Sequence, residues 1–138
     1  MKHKDKKSAL SAETLNQYCN KLRFIMETNQ LYLRPRLSLD DLSLETGIPL
    51  DYIRKVLDEK LKMTFFEFIS EYKIDEAKRL LTKEQEDHFS ISTIANKSGF
   101  NTNDSFITLF RKHTKMSPQE YRIKYINLTP DFNNSILD

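Results

Sequence analysis

An all-α chain is what this sequence predicts: two pairs of short helices joined by a long connecting helix and preceded by an extra N-terminal helix. Three observations carry that expectation. Two glycines and four prolines in 138 residues suit short helices with tight links. Apolar residues recur at helical spacing behind good caps. The two glycines, Gly47 and Gly99, also stand in matching surroundings. Leu39 and Leu42 precede Gly47 as Ile91 and Ile94 precede Gly99, at a constant offset of 52 residues. Beyond the glycines the offset becomes 53, pairing Leu57 with Phe110, Lys62 with Lys115, Met63 with Met116, Thr64 with Ser117, Glu67 with Glu120 and Phe68 with Tyr121. The chain therefore contains an internal duplication, with one residue gained between the glycine and the helix after it.

The elements follow in order. Ser11 caps a first helix running to about Thr28, with Leu15, Tyr18, Leu22, Ile25 and Met26 on one stripe and Leu10 as its staple. In the link from Asn29 to Leu37, Pro35 keeps Arg34 extended and separates this N-terminal segment, residues 1–37, from the first repeat, about 38–61. Ser38 caps a helix from Leu39 to about Glu45. After Gly47 a second helix runs from Pro49 to about Lys60, proline suiting a first turn. Ile53, Val56 and Leu57 fall on its inner face, leaving Leu50, Asp51, Arg54, Lys55 and Asp58 outward.

Thr64 and Glu67 form a capping box before the connecting helix, about 64–83, whose stripe is Phe65, Phe68, Ile69, Tyr72, Ala77, Leu80 and Leu81. Glu84 to His88 is a polar loop. The second repeat, about 90–115, opens with Ser90 as cap and Ile91, Ile94 and Ala95 on its first helix. Its second helix spans roughly Thr102 to His113, with Phe106, Leu109 and Phe110 inward and Asn103, Asp104, Ile107, Thr108 and Arg111 outward. Ser117, Pro118 and Glu120 start a last helix, about 117–125, followed by an Asn- and Asp-rich tail, 126–138, that reads as loose.

Composition narrows the function classes. With 38% hydrophobic residues the chain has enough to bury a compact core, and no run approaches the ~18 apolar residues of a membrane span. The basic start, Met1 to Lys7, has no apolar stretch behind it and does not read as a secretion signal. A lone Cys19 excludes an internal disulfide and a cysteine-rich zinc site, which suits a reducing, cytoplasmic setting. Beside Tyr18 and Leu22, Cys19 reads as a core or flank residue. His3, His88 and His113 show neither metal-ligand spacing nor a nucleophile and base arrangement, so no catalytic residue, cofactor or metal is expected. The net charge of +2 decides little, but its distribution is uneven. Residues 61–90 carry five Lys and Arg against seven Asp and Glu, whereas 91–125 carry six against two.

Each repeat has the layout of a helix-turn-helix: a short helix, a turn needing one residue at positive φ, and a second helix. Glycine adopts that conformation freely, whereas alanine there costs about 1 kcal/mol. Ile48 and Phe100, directly after the glycines, plug the angle between the helices.

The run Ile94-Ala95-Asn96-Lys97-Ser98-Gly99-Phe100 is the most specific stretch, followed by Ser105-Phe106, Phe110-Arg111-Lys112 and Met116-Ser117-Pro118 with Tyr121-Arg122. On these residues, 38 to about 125 resembles the DNA-binding domain of the AraC/XylS transcription regulators. The resemblance implies sequence-specific binding of double-stranded DNA by two recognition helices in successive major-groove segments. A groove about 12 Å wide admits a helix and shows a distinct donor and acceptor pattern for each base pair.

In the first repeat, Arg54 and Lys55 are candidate base or phosphate contacts. Asp51 either accepts from cytosine or serves the helix dipole. In the second, Asn103, Ser105 and Thr108 are candidate readers, with Arg111, Lys112 and Lys115 as phosphate partners. Asp104 has an alternative role in capping, and the lysines as an ordinary solvated face. Thr108 stands where the family commonly has arginine. Ile107 replaces a small polar residue and either meets a thymine methyl, meets a partner or packs. Lys62 and Lys115 stand where glycine is usual, Ser43 where a small alanine is, and Lys73 where an arginine is.

Further partners under the resemblance are RNA polymerase and, through the N-terminal helix, a second copy or a sensor region. Met26 to Pro35, with Leu31-Tyr32-Leu33-Arg34-Pro35, resembles the lead into AraC-type output domains on the cytoplasmic end of membrane-bound sensors. Under that expectation the chain is a fragment whose basic start lies near the inner membrane. The competing class is a helical protein-protein interaction module that keeps the fold without reading DNA.

Overall fold

The computed structural model describes residues 11–83 and 89–128. Leu10, the basic start, His3, the segment 84–88 and residues 129–138 of the tail lie outside them. Among the described residues the chain forms α1 (Ala12–Thr28), α2 (Leu39–Thr46), α3 (Leu50–Lys55), α4 (Phe65–Thr82), α5 (Ile91–Lys97), α6 (Asn103–Thr114) and α7 (Pro118–Leu128), with no strand. A 3-10 turn covers Leu31–Leu33 and a π-helical turn covers Val56–Leu61. The backbone divides into two compact units within α4, Met1–Ile69 and Ser70–Asp138.

In the first unit, α1 is built into the core. Its buried stripe of Leu15, Cys19, Leu22 and Met26 packs on α2, α3 and the π turn, whose own buried residues include Leu42, Ile53, Val56 and Leu57. Tyr18 stacks on Tyr52 with ring centroids 5.4 Å apart. Ser11 caps α1 by accepting the Thr14 N–H at 3.1 Å. Arg34 is extended ahead of Pro35, and its guanidinium reaches Glu45 on α2 at 2.9 Å, tying the link to the first repeat. The pair is exposed enough to contribute at most about 1 kcal/mol.

Ser38 and Asp41 form a reciprocal capping box on α2, at 3.1 and 3.0 Å. The helix after Gly47, expected as one α-helix to about Lys60, is α-helical only to Lys55. It then widens so that the Lys62 N–H reaches five residues back to the Leu57 carbonyl. Val56 and Leu57 stay buried through the change. Thr64 and Glu67 then cap α4 reciprocally, at 3.0 and 2.9 Å.

The second unit packs Ile74, Ala77, Leu80 and Leu81 of α4 against Ile94, Ala95, Phe100, Phe106 and Phe110. Phe100, Phe106, Phe110 and Tyr121 follow one another with centroids 5.0 to 5.5 Å apart, an aromatic file from the turn to α7. Arg122 donates to the Phe89 carbonyl at 3.0 Å, joining α7 to the lead of α5. Glu120 accepts the Ser117 N–H at 2.8 Å, and these hydrogen bonds to Ser117 lower its pKa.

Candidate nucleic-acid interface

Both glycines are left-handed, Gly47 at φ 75° and Gly99 at φ 93°, but the two turns close differently. The Gly47 N–H returns to the Ser43 carbonyl at 2.9 Å, a single-bond closure. Side chains finish it: the Ser43 hydroxyl donates to the Ile48 carbonyl at 2.6 Å, and Thr46 Oγ1 accepts the Ile48 N–H at 3.1 Å. In the second repeat the Phe100 N–H reaches the Ala95 carbonyl at 3.0 Å and the Gly99 N–H reaches Asn96 at 3.1 Å, the two-bond Schellman closure. Backbone alone satisfies that turn. Ser98, which matches Thr46, is buried with its hydroxyl unpartnered. Ser43 thus supports a turn that the second repeat, with Ala95 at the matching position, closes through its backbone.

The residue gained in the second repeat lies between Phe100 and α6. There Asn101-Thr102 replaces the single Pro49. Thr102 becomes a side-chain cap, accepting the Ser105 N–H at 3.1 Å, whereas Pro49 starts α3 with no side-chain cap. Each second helix ends on a left-handed lysine, Lys62 at φ 55° and Lys115 at φ 65°. Both sites favour glycine on steric grounds.

On α3, Asp51 and Arg54 are exposed, and Arg54 has no ion-pair partner among the described residues. Lys55 is half-buried, its Nζ 3.7 Å from Glu59. On α6, Asn103, Asp104, Ser105, Thr108, Arg111 and Lys112 are exposed, and so is Lys115 at its end. With Phe106 and Phe110 facing inward, helical geometry sets Asp104, Thr108 and Arg111 along the centre of the outer face. Ile107 flanks them on one side, Ser105 and Lys112 on the other, while Asn103, three and seven residues before the inward Phe106 and Phe110, is exposed at the first position of the helix. The Ser105 hydroxyl is engaged with Thr102, at 3.0 Å to its side chain and 3.1 Å to its carbonyl. Thr102 supplies the side-chain cap of α6, and Asp104 stands in its first turn.

A shallow recess of about 260 Å³ opens at the start of α6, with Ser92, Asn96, Asn101, Thr102 and Asn103 among its lining. Ser92, Asn96 and Asn101 are polar groups that the spacing of the repeats does not single out. Behind the turn, Lys73 places its Nζ 5.7 Å from the Phe100 ring centroid, and burial lowers its pKa. It supports the turn and does not belong to the outer face. Among the described residues no cluster of three or more His, Cys, Asp or Glu side chains is placed to hold a metal ion. None of the described helices is long and apolar enough to cross a membrane.

Residues 42–124 match the family model described as "Helix-turn-helix domain". Over 115 residues the chain is 30% identical to an uncharacterized HTH-type transcriptional regulator of Staphylococcus aureus strain COL, covering 83% of this chain and 14% of that protein. The chain thus spans about one-seventh of the length of that relative. Among solved structures it is similar to a DNA-binding transcriptional dual regulator from Escherichia coli K-12, with TM-score 0.66, 20% identity and coverage of 78% of this chain and 90% of that one. It is also similar to the DNA-binding domain of the global transcriptional factor AdpA in complex with a target DNA. That match has TM-score 0.64 and 18% identity, and covers 80% of this chain and 97% of that one. At these identities the likeness is one of fold.

Proposed function

The chain belongs to the AraC-type helix-turn-helix family, and on that footing we propose that it binds double-stranded DNA sequence-specifically and regulates transcription. The observation that carries this reading is the outer face of α6. It exposes a carboxylate, a hydroxyl and two cations, with an amide at the first position of the helix, behind a glycine turn. Such a mixture discriminates base edges in the major groove, whereas a merely solvated face needs no exposed amide and hydroxyl beside its charges.

Asn103, Asp104 and Thr108 act as base readers, with Arg111, Lys112 and Lys115 on phosphates. Ser105, held by Thr102, is better placed to shape the start of the helix than to read a base. The polar recess beside it suits a phosphate oxygen. In the first unit Arg54 is the principal base contact and Asp51 a secondary acceptor, while Lys55, drawn toward Glu59, serves the backbone. The binding is proposed to take place in the cytoplasm. RNA polymerase, a second copy and a sensor region coupled through α1, including one anchored in the inner membrane, are the further partners of this reading.

Fluorescence anisotropy on duplex DNA over a salt series tests the proposal. The logarithm of the binding constant should fall with the logarithm of salt at a slope of about −0.9 per phosphate neutralised. Absence of binding at low salt would overturn it and leave the protein-interaction module.

A further inference from the structure

Ile107 lies on the outer face of α6 at 36% exposure, outside the second unit's core and outside the partly buried residues that rim it. About a third of its surface is therefore open to solvent. The other large exposed hydrophobics among the described residues, Phe24, Leu44, Phe66 and Ile123, lie on α1, α2, α4 and α7, so on α6 Ile107 stands alone. Its helical neighbours are Asn103 four residues before, Arg111 four residues after, and Asp104 and Thr108 beside it. A protein-docking surface needs a contiguous apolar patch. A single branched apolar group framed by an amide, a hydroxyl and a guanidinium instead matches the edge of a base-pair stack. In the major groove the apolar group displayed there is the thymine C5 methyl.

The spacing agrees. Residues four apart on a helix are about 6 Å apart along its axis, within reach of neighbouring base pairs. In the row Asn103, Ile107 and Arg111, the amide suits adenine N6 and N7, and the guanidinium suits guanine O6 and N7 or the adjoining phosphate. We infer that Ile107 is a specificity-determining residue that contacts a thymine methyl between the bases or phosphates met by Asn103 and Arg111. The inference rests on the DNA-binding reading above.

The test uses the duplex recovered from a random pool by selection on this chain. Each thymine is replaced in turn by deoxyuridine, which keeps the hydrogen-bonding edge and removes only the methyl. One replacement should weaken binding by about three- to five-fold, the effect of one buried methyl. In Ile107→Ala, checked by thermal melting to be folded, that replacement should have no effect. A duplex in which no thymine responds would overturn the inference, as would a response that survives in Ile107→Ala. So would an Ile107→Ala variant that loses self-association while binding DNA unchanged. Absence of any duplex binding would overturn the DNA reading with it, whereas binding without a methyl response overturns the Ile107 assignment alone.

Discussion

Replacing Lys115 by glycine should stabilise the protein while weakening its hold on DNA. Lys115 closes α6 at φ 65°, ψ 14°, with its N–H on the Arg111 carbonyl at 2.8 Å. A side chain in that left-handed region costs about 1–2 kcal/mol through the Cβ. Glycine removes the clash but brings an unfolded-state entropy cost of about 0.5–1 kcal/mol. The net expectation is a gain of about 0.5–1 kcal/mol. For a unit of this size that corresponds to a rise of about 2–6 °C in melting temperature.

Thermal unfolding by circular dichroism, with Lys115→Ala beside it, checks the origin of the effect. Alanine keeps the Cβ and should not stabilise. The same variant loses one proposed phosphate contact, so the salt dependence of DNA binding should become shallower by about 0.9 in slope. A Lys115→Gly protein that melts at or below the wild type would refute the strain argument, and so would an alanine variant equal to it. An unchanged salt slope would remove Lys115 from the interface.

The two turns should answer differently to loss of a hydroxyl at matched positions. Thr46→Val strands the buried Ile48 N–H and should cost about 1–3 kcal/mol in chemical denaturation, whereas Ser98→Ala removes an unpartnered group and should be neutral or slightly stabilising. Arg54→Ala should cost about 1–3 kcal/mol of binding and relax preference at one base, while Lys112→Ala weakens all sequences alike in competition assays. Glu120 has its pKa lowered by the Ser117 hydrogen bonds, so its contribution is present above the ordinary glutamate range and is lost as pH falls through the folded-state value. Glu120→Gln should therefore flatten the acid limb of a melting-temperature profile, and an unchanged limb would show that this capping box does not titrate with folding.

Much of this was legible in the residues because it depends on local chemistry. Gly47 and Gly99 mark positions where only a residue without a Cβ is unstrained. Ser11, Ser38, Thr64, Ser90 and Ser117 cap helices within three residues of themselves, and the stripes from Leu15 to Met26 and from Phe106 to Phe110 follow the helical period. What escaped depends on partners distant in sequence or on equal local alternatives. The spacing of Val56, Leu57 and Leu61 does not separate an α-turn from a π-turn, since both bury the first two. Whether Ser105 reads a base or belongs to the cap depends on the Thr102 rotamer. The closures at Gly47 and Gly99 diverge through Thr46 and Ser43, whose hydroxyls meet Ile48 only once it folds over them. At the interface, residue type and helical face were readable, but Ile107 needed its surroundings to exclude a place in the core.

Selection of bound duplexes from a random pool, repeated with Arg54→Ala and Asn103→Ala, would decide whether this chain reads DNA. Enrichment of two short blocks of invariant bases is expected, with Arg54→Ala relaxing one block and Asn103→Ala the other. A pool that stays random after repeated rounds at low salt, with no duplex retained, would contradict the account.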